Sequence, residues 1–261
     1  MSLSYEERKK TILDLLAKEE KVKVPALAEQ LNVSGETIRR DLERLDKEKK
    51  LKKVYGGAVK TGSDSWEPPF ELKASMNAAE KRAVGKLAAS LVEDGDSIML
   101  GNGTTTMEII RFIGGKKNVT LVTHSTPAML LAMELFEGRI IFIGGEVNVD
   151  QKSANGPLAE WMLEHLKVNK TFISAGGVSA VDGITDYDLQ EANISKKMME
   201  RADDVIVLAD YTKMGKTTFA RIGELKDISV IISNNRCPDE WKRILAEKNI
   251  ELLLADEEDT F

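Results

Sequence analysis

The chain has 261 residues, 42% hydrophobic and 31% charged, with a net charge of −6 at neutral pH, enough apolar material for one large or two modest domains. No apolar run nears the roughly 18 residues of a membrane span, and the polar first ten residues do not read as a secretory leader. Cys237 is the only cysteine, and His124 and His165 the only histidines, which argues against a disulfide framework and a structural metal site and for a reducing, cytoplasmic setting.

Residues 1–60 hold 15 Lys/Arg against 11 Asp/Glu, and the remainder holds 22 against 32. A small basic module is therefore joined to a larger acidic one, a pattern that points to a nucleic-acid-binding N-terminal end. Tyr5–Glu20 reads as a first helix with Ile12, Leu15 and Leu16 on its apolar face. Pro25–Leu31 reads as a second, with its proline in the first turn, where no hydrogen bond is lost. Ser34–Lys50 reads as a third, in which Ile38, Leu42 and Leu45 form an apolar stripe. Glu36, Arg40, Glu43, Arg44 and Lys47 fall on its far side, with Thr37 and Arg39 on the flanks. Ser34 suits the N-cap and Glu36 the positive end of the helix dipole. Two short helices, a tight turn and a third helix with arginines outward form a helix-turn-helix whose last helix fits a major groove. Residues 51–60, LKKVYGGAVK, suggest a two-stranded wing from which Lys52 and Lys53 can reach phosphates.

Residues 8–59 resemble the N-terminal domain of DeoR-family transcriptional regulators, above all in VSxxTIRRDL followed by a wing ending in GGA. The resemblance implies DNA contacts from Ser34, Thr37, Arg39 and Arg40. With the charge pattern, Glu36, Arg44, Lys52 and Lys53 join the candidate DNA-binding set.

Residues 61–76 read as a linker, since TGSDSWEPPF can continue neither a helix nor a central strand. Trp66 and Phe70 are candidate anchors for it. From Asn77 onward, short apolar strands at 97–100, 119–122, 140–143, 170–174, 204–209, 228–233 and 250–254 alternate with helices. This predicts an α/β domain over 77–261 with a mainly parallel sheet. Ligands in such sheets sit at the carboxyl ends of the strands. After the first strand comes Gly101-Asn102-Gly103-Thr104-Thr105-Thr106, whose glycines, backbone N–H groups and hydroxyls suit a phosphate. Thr123-His124-Ser125 follows the second strand and Gly144-Gly145 the third. Ala175-Gly176-Gly177 and Asp182–Asp186 follow the fourth, ahead of a helix carrying Glu191. Asp210–Gly215, with Lys213, follows the fifth.

Residues 77–254 resemble the DeoR-family effector domain, which is similar in fold to ribose-5-phosphate isomerases and coenzyme A transferases. GNGTTT, VTHS, IGGEV, AGGVSAVDGIT, EANISKKMM and LADYTKMG carry the resemblance. It implies a phosphorylated sugar held by Asn102, Gly103, Thr104, Thr105, Thr106, His124, Ser125, Asp182, Glu191 and Lys213. The strand-end position adds Gly144, Gly177 and Asp210. The family usually has Asp-Ser where Gly101-Asn102 stand and Asn where His124 stands, and both departures fall in the implied pocket.

Sequence therefore predicts a winged helix-turn-helix joined to a Rossmann-like, ribose-phosphate-isomerase-like α/β sensor. It predicts a homo-oligomeric repressor of carbohydrate-metabolism genes, with double-stranded DNA and a phosphorylated sugar as partners and no cofactor. The alternative is a sugar-phosphate isomerase with a DNA-binding appendage, for which Asp182, Asp186, Glu191 and His124 are candidate proton-transfer groups.

Overall fold

In the computed structural model, which describes residues 4–19, 21–48, 50–60 and 67–256, the first helix, α1 (Tyr5–Glu19), places Glu6 and Glu7 in its first turn. A three-residue strand follows, β1 (Lys21–Lys23), too short to show alternation in sequence. Pro25 opens α2 (Val24–Gln30). Ser34 caps α3 (Gly35–Lys47), its Oγ accepting the Thr37 N–H at 3.1 Å. Ile38, Leu42 and Leu45 are buried with Ile12, Leu16, Leu27 and Leu31 in one core. β2 (Leu51–Val54) and β3 (Gly57–Lys60) form the wing hairpin. β1 pairs antiparallel with β3, so the small sheet has three strands rather than the two expected. Gly57 makes that pairing possible: a Cβ there would stand 1.9 Å from the Val22 carbonyl oxygen.

The chain divides into two compact units, Met1–Trp66 and Glu67–Phe261. The second opens with a short helix, α4 (Phe70–Ser75), inside the span read as linker. Its two prolines, Pro68 and Pro69, stand just ahead of it, where a missing N–H costs nothing. Phe70 is buried, and Trp66 lies outside the described residues. Next come α5 (Ala78–Ser90), β4 (Ser97–Leu100), α6 (Thr104–Glu108), β5 (Thr120–Thr123), α7 (Thr126–Leu135) and β6 (Arg139–Phe142). An antiparallel hairpin, β7 (Glu146–Asn148) and β8 (Ser153–Asn155), precedes α8 (Pro157–Glu164) and β9 (Val168–Ser174). β10 (Gly177–Ser179), β11 (Gly183–Asp186), α9 (Leu189–Glu200), β12 (Ala202–Leu208) and β13 (Ala220–Gly223) follow. β14 (Val230–Asn234), α10 (Glu240–Ala246) and β15 (Glu251–Ala255) complete the order.

Seven strands form one parallel sheet in the order β15-β14-β12-β9-β4-β5-β6. Consecutive residues face opposite sides, as the twofold strand period requires. Met99, Val122, Ile173 and Val207 join the core under α8, α9 and α10, whereas Ile98, Leu121, Phe172 and Ile206 join the core under α5 and α7. The predicted α/β architecture is thus observed. β7–β8 and the antiparallel sheet β10-β11-β13 were not expected, because strands of three or four residues in Gly-rich sequence carry no legible alternation. The chain enters the sheet centrally at β4, runs outward through β5 and β6, then returns to the other side of β4 with β9. The reversal opens a crevice beyond the carboxyl ends of β4 and β9.

Candidate functional site

A cavity of the second unit lies at that crevice. The loop after β4 lines it with Asn102, Gly103, Thr104 and Thr105, and the end of β9 adds Ser174, Ala175 and Gly176. Three lysines converge on it from separate elements: Lys73 of α4, Lys81 of α5 and Lys213 of the turn after β12. Gly103 is required by close approach, since a Cβ there would stand 2.2 Å from Ser174 Oγ. Buried Lys81 donates from Nζ to the Lys73 carbonyl. Burial pulls its ammonium down to about 8, an effect that the charge of Asp210 partly offsets. A desolvated lysine of this kind gains from an arriving anion.

The opposite character comes from Glu67, Asp186 and Asp210, which also line the cavity. Asp186 accepts the Tyr187 N–H at 2.7 Å. Burial raises its carboxyl to about 7, helped by the charges of Glu67 and Glu191. Asp210 accepts the Thr212 N–H at 2.8 Å. Lys213 stands 5.8 Å from the centre of the Tyr187 ring. Asn102 Nδ2 donates to the Gln151 carbonyl at 3.1 Å. Asn102 Oδ1 and Ser174 Oγ are buried without a hydrogen-bond partner among the described residues. Buried polar atoms are seldom left unpaired, so both mark a seat for a polar ligand. The cavity thus offers cationic, hydroxyl and carboxylate groups side by side, matched to a molecule bearing both an anion and hydroxyls.

Of the residues singled out in the sequence, Asn102, Gly103, Thr104, Thr105, Asp210 and Lys213 line the cavity. Thr106 does not: it is fully buried, and its Oγ1 donates to the Gly101 carbonyl at 2.7 Å, shaping the loop instead. His124, Ser125 and Glu191 are buried and do not line the cavity either. His124 Nε2 is 3.5 Å from Glu191 Oε2, and burial alone lowers its imidazole to about 4, so it is neutral. Ser153 and Asn155 donate to the Glu191 carboxyl, which burial raises above its ordinary value. Gly144, Gly177 and Asp182 lie outside the lining. Gly177 sits in β10, against the Lys216 carbonyl. The carboxylate of Asp182 accepts the Thr217 hydroxyl at 2.8 Å at the β10–β11 turn, so the turn consumes the group expected to meet a sugar. Sequence reasoning missed Lys73, Lys81, Ser174 and Tyr187, and Asp186 figured only in the alternative reading. The one available signal was Lys81 on the inward side of a helix whose Val84 and Ala88 are also inward.

In the first unit, α3 exposes Glu36, Arg39 and Arg40. Glu36 pairs with Arg39 at 3.3 Å and with Arg40 at 3.7 Å. Ser34 Oγ and Thr37 Oγ1 share a hydrogen bond of 2.9 Å at the helix start. Lys52 and Lys53 are exposed on β2, and Lys53 pairs with Glu43 at 3.5 Å. Arg44 is exposed as well, with its guanidinium over the Tyr5 ring at 4.1 Å and 3.5 Å from Glu48. Tyr55, 86% exposed at the wing tip, was not singled out in the sequence.

A helix-turn-helix with a basic wing, carried with an α/β unit that holds a lysine-lined cavity, defines a DNA-binding regulator with a sensor domain. The family model for the DeoR-like helix-turn-helix domain matches residues 8–63, and that for the DeoR C terminal sensor domain matches residues 76–235. The chain belongs to the DeoR family of transcriptional regulators. It is 33% identical to the uncharacterized HTH-type transcriptional regulator YulB of Bacillus subtilis, over 94% of this chain and 95% of that protein. It is 32% identical to the regulator IolR of the same organism, over 90% and 93%. It is 29% identical to a putative aga operon transcriptional repressor of Escherichia coli O157:H7, over 96% and 94%. Among solved structures, ribose 5-phosphate isomerase A from Methanocaldococcus jannaschii matches 51% of this chain and 53% of its own, at 24% identity and a TM-score of 0.38. No helix among the described residues is long and apolar enough to cross a membrane.

Proposed function

We propose that the protein represses carbohydrate-metabolism genes and that a phosphorylated sugar, bound at the crevice of the second unit, alters its hold on a DNA operator. The observation that carries this reading is the convergence of Lys73, Lys81 and Lys213 with the hydroxyl- and glycine-rich loop 102–105 on one cavity. The phosphate faces the lysines and the loop backbone, and the sugar hydroxyls face Asp186 and Asp210. Residues 1–60 read DNA, with Thr37, Arg39 and Arg40 at the major groove and Lys52 and Lys53 on phosphates. The second unit, from residue 67 onward, senses the sugar and holds the copies of a homo-oligomer together, and 61–66 connect it to the first. A symmetric oligomer implies repeated or palindromic half-sites. The chain works in the cytoplasm, where operators and sugar phosphates meet.

The experiment is a thermal-shift screen of the full chain with phosphorylated sugars beside their unphosphorylated parents. Its hit is then titrated into an operator-binding assay. A hit that requires the phosphate and changes operator affinity supports the reading; a hit that leaves operator affinity unchanged overturns the switch.

One observation favours a second reading. Asp186, with its carboxyl held at about 7 beside three lysines, resembles the general base of an aldose–ketose isomerase. Turnover of a panel of aldose and ketose phosphates, lost in Asp186→Asn, would establish it. Binding without turnover is the outcome expected of a sensor.

A further inference from the structure

The second unit begins with a strap, residues 67–76, that forms one wall of the cavity through Glu67, Pro68, Lys73 and Met76. The strap is tied down in two ways. From outside the cavity, the turn between β7 and β8 holds it: the Phe70 N–H donates to the Asp150 carbonyl at 3.1 Å, Gln151 Nε2 donates to the Pro68 carbonyl at 3.3 Å, and Lys152 pairs with Glu71. From the cavity side, Lys81 Nζ donates to the Lys73 carbonyl, and within the strap itself the Glu67 carboxylate pairs with the Lys73 ammonium. Both partners are largely withdrawn from solvent, with side chains 16% and 20% exposed. A single carboxylate thus occupies one of the three cations that make the cavity attractive to an anion. It does so beside Asp186, a like charge whenever that residue is ionised, and its negative field is one of the influences that push Asp186 toward its neutral form.

We infer that Glu67 is an internal stand-in for the ligand's anion: it holds Lys73 until a phosphate group takes that lysine, and the exchange releases the N-terminal end of the strap. The inference rests on the reading of the cavity as a phosphate site. Three features carry it beyond an ordinary ion pair. Glu67 and Lys73 both line the cavity, so ligand and carboxylate compete for the same cation. A second anion beside Asp186 raises the repulsion in the cavity, which makes Glu67 the group to leave. Residue 67 also follows directly on residues 61–66, the chain leading from the DNA-binding unit, so a released Glu67 alters the restraint at the end of that segment. Ligand occupancy is thereby converted into a change at the first residue of the second unit.

The test uses the full chain and inorganic phosphate as the probe. Phosphate affinity is measured by calorimetry for the wild type and for Glu67→Gln, which keeps the side-chain shape and removes the charge. Amide exchange is followed over residues 67–76, which report the strap, and over 101–106, which report the cavity. The expected result is about tenfold tighter phosphate binding in Glu67→Gln. Phosphate should protect 101–106 in both proteins and deprotect the Phe70 amide, at the N-terminal end of the strap, in the wild type, while that amide in Glu67→Gln exchanges fast from the start. Equal affinities and an unchanged strap, with 101–106 still protected by phosphate, would overturn the inference and leave the cavity reading standing. Phosphate that protects 101–106 in neither protein would overturn both. Should Glu67→Gln fail to fold, Lys73→Gln answers the same question. It should bind phosphate more weakly and show strap exchange that phosphate no longer changes; a phosphate-dependent strap in that variant overturns the inference.

Discussion

Lys81 places an ammonium group in a buried position, held near a carbonyl and pulled down to about 8 by desolvation. Such a group costs stability in the empty protein and returns it when an anion binds. Lys81→Met, which keeps the length and removes the charge, should leave the unliganded protein within about 1 kcal/mol of wild type while weakening a phosphorylated ligand by about 1.5–3 kcal/mol. Thermal melts with and without the ligand check both halves. Asp186 makes a prediction in pH. Its carboxyl titrates at about 7 in the fold, well above its ordinary value of 3.8. The fold therefore favours the protonated form, and this group's contribution to stability falls as pH rises from about 4 to about 7, then stays level, while His124, lowered from 6.5 to about 4, contributes the opposite slope between those values. Asp186→Asn should remove that contribution alone, so the difference in melting temperature between mutant and wild type, near zero at pH 4, should grow in the mutant's favour by pH 8. The Lys81 shift acts only between about 8 and its ordinary 10.5 and does not enter this window. A difference that does not grow with pH would remove Asp186 as the group responsible.

At the scale of elements, the first unit depends on a contact that allows no side chain. A Cβ on Gly57 would meet the Val22 carbonyl at 1.9 Å, so Gly57→Ala should part β1 from β3 and destabilise the unit by about 2 kcal/mol or more. Chemical denaturation followed by circular dichroism measures it. The recognition helix separates two arginines that look alike in sequence. Both Arg40 and Arg44 are exposed with an i,i+4 glutamate, but Arg44 also lies over the Tyr5 ring of α1. Arg40→Ala should weaken operator binding by about 1–3 kcal/mol if it reads a base. Arg44→Ala should chiefly reduce the stability of the α1–α3 contact. Operator titrations beside melts would show a reversed pattern if the assignment is wrong.

At the scale of the whole molecule, the sensor can shift DNA binding by no more than the effector's differential affinity for the two states. Lys213 lines the cavity and lies far in sequence from the DNA-reading helix. Lys213→Ala should keep operator affinity without effector and blunt the response to effector at a fixed concentration. Loss of operator binding with a normal response would refute the division of labour. The same titration, done across protein concentrations, tests the proposed homo-oligomer.

Some of this was written in the order of residues alone. Ile38, Leu42 and Leu45 declare α3 because helical periodicity is a local property, and Ser34 declares its start because capping uses neighbours three residues apart. The apolar strands and the GNGTTT loop after β4 are legible for the same reason: strand run, glycine turn and hydroxyl cluster are contiguous. What tertiary structure alone decided is which charged groups meet. Lys73 reads as linker and Lys81 as one cation in a charged helix start, while Asp182 and Glu191 read as sugar-binding acids and Asp186 only as a candidate proton-transfer group. Folding sends Lys73, Lys81 and Asp186 to one cavity, spends Asp182 on a turn and buries Glu191 against His124. Periodicity reports which face of an element is buried, but the chemistry of a charged side chain depends on desolvation and on partners from distant segments, and only the assembled crevice between β4 and β9 supplies those.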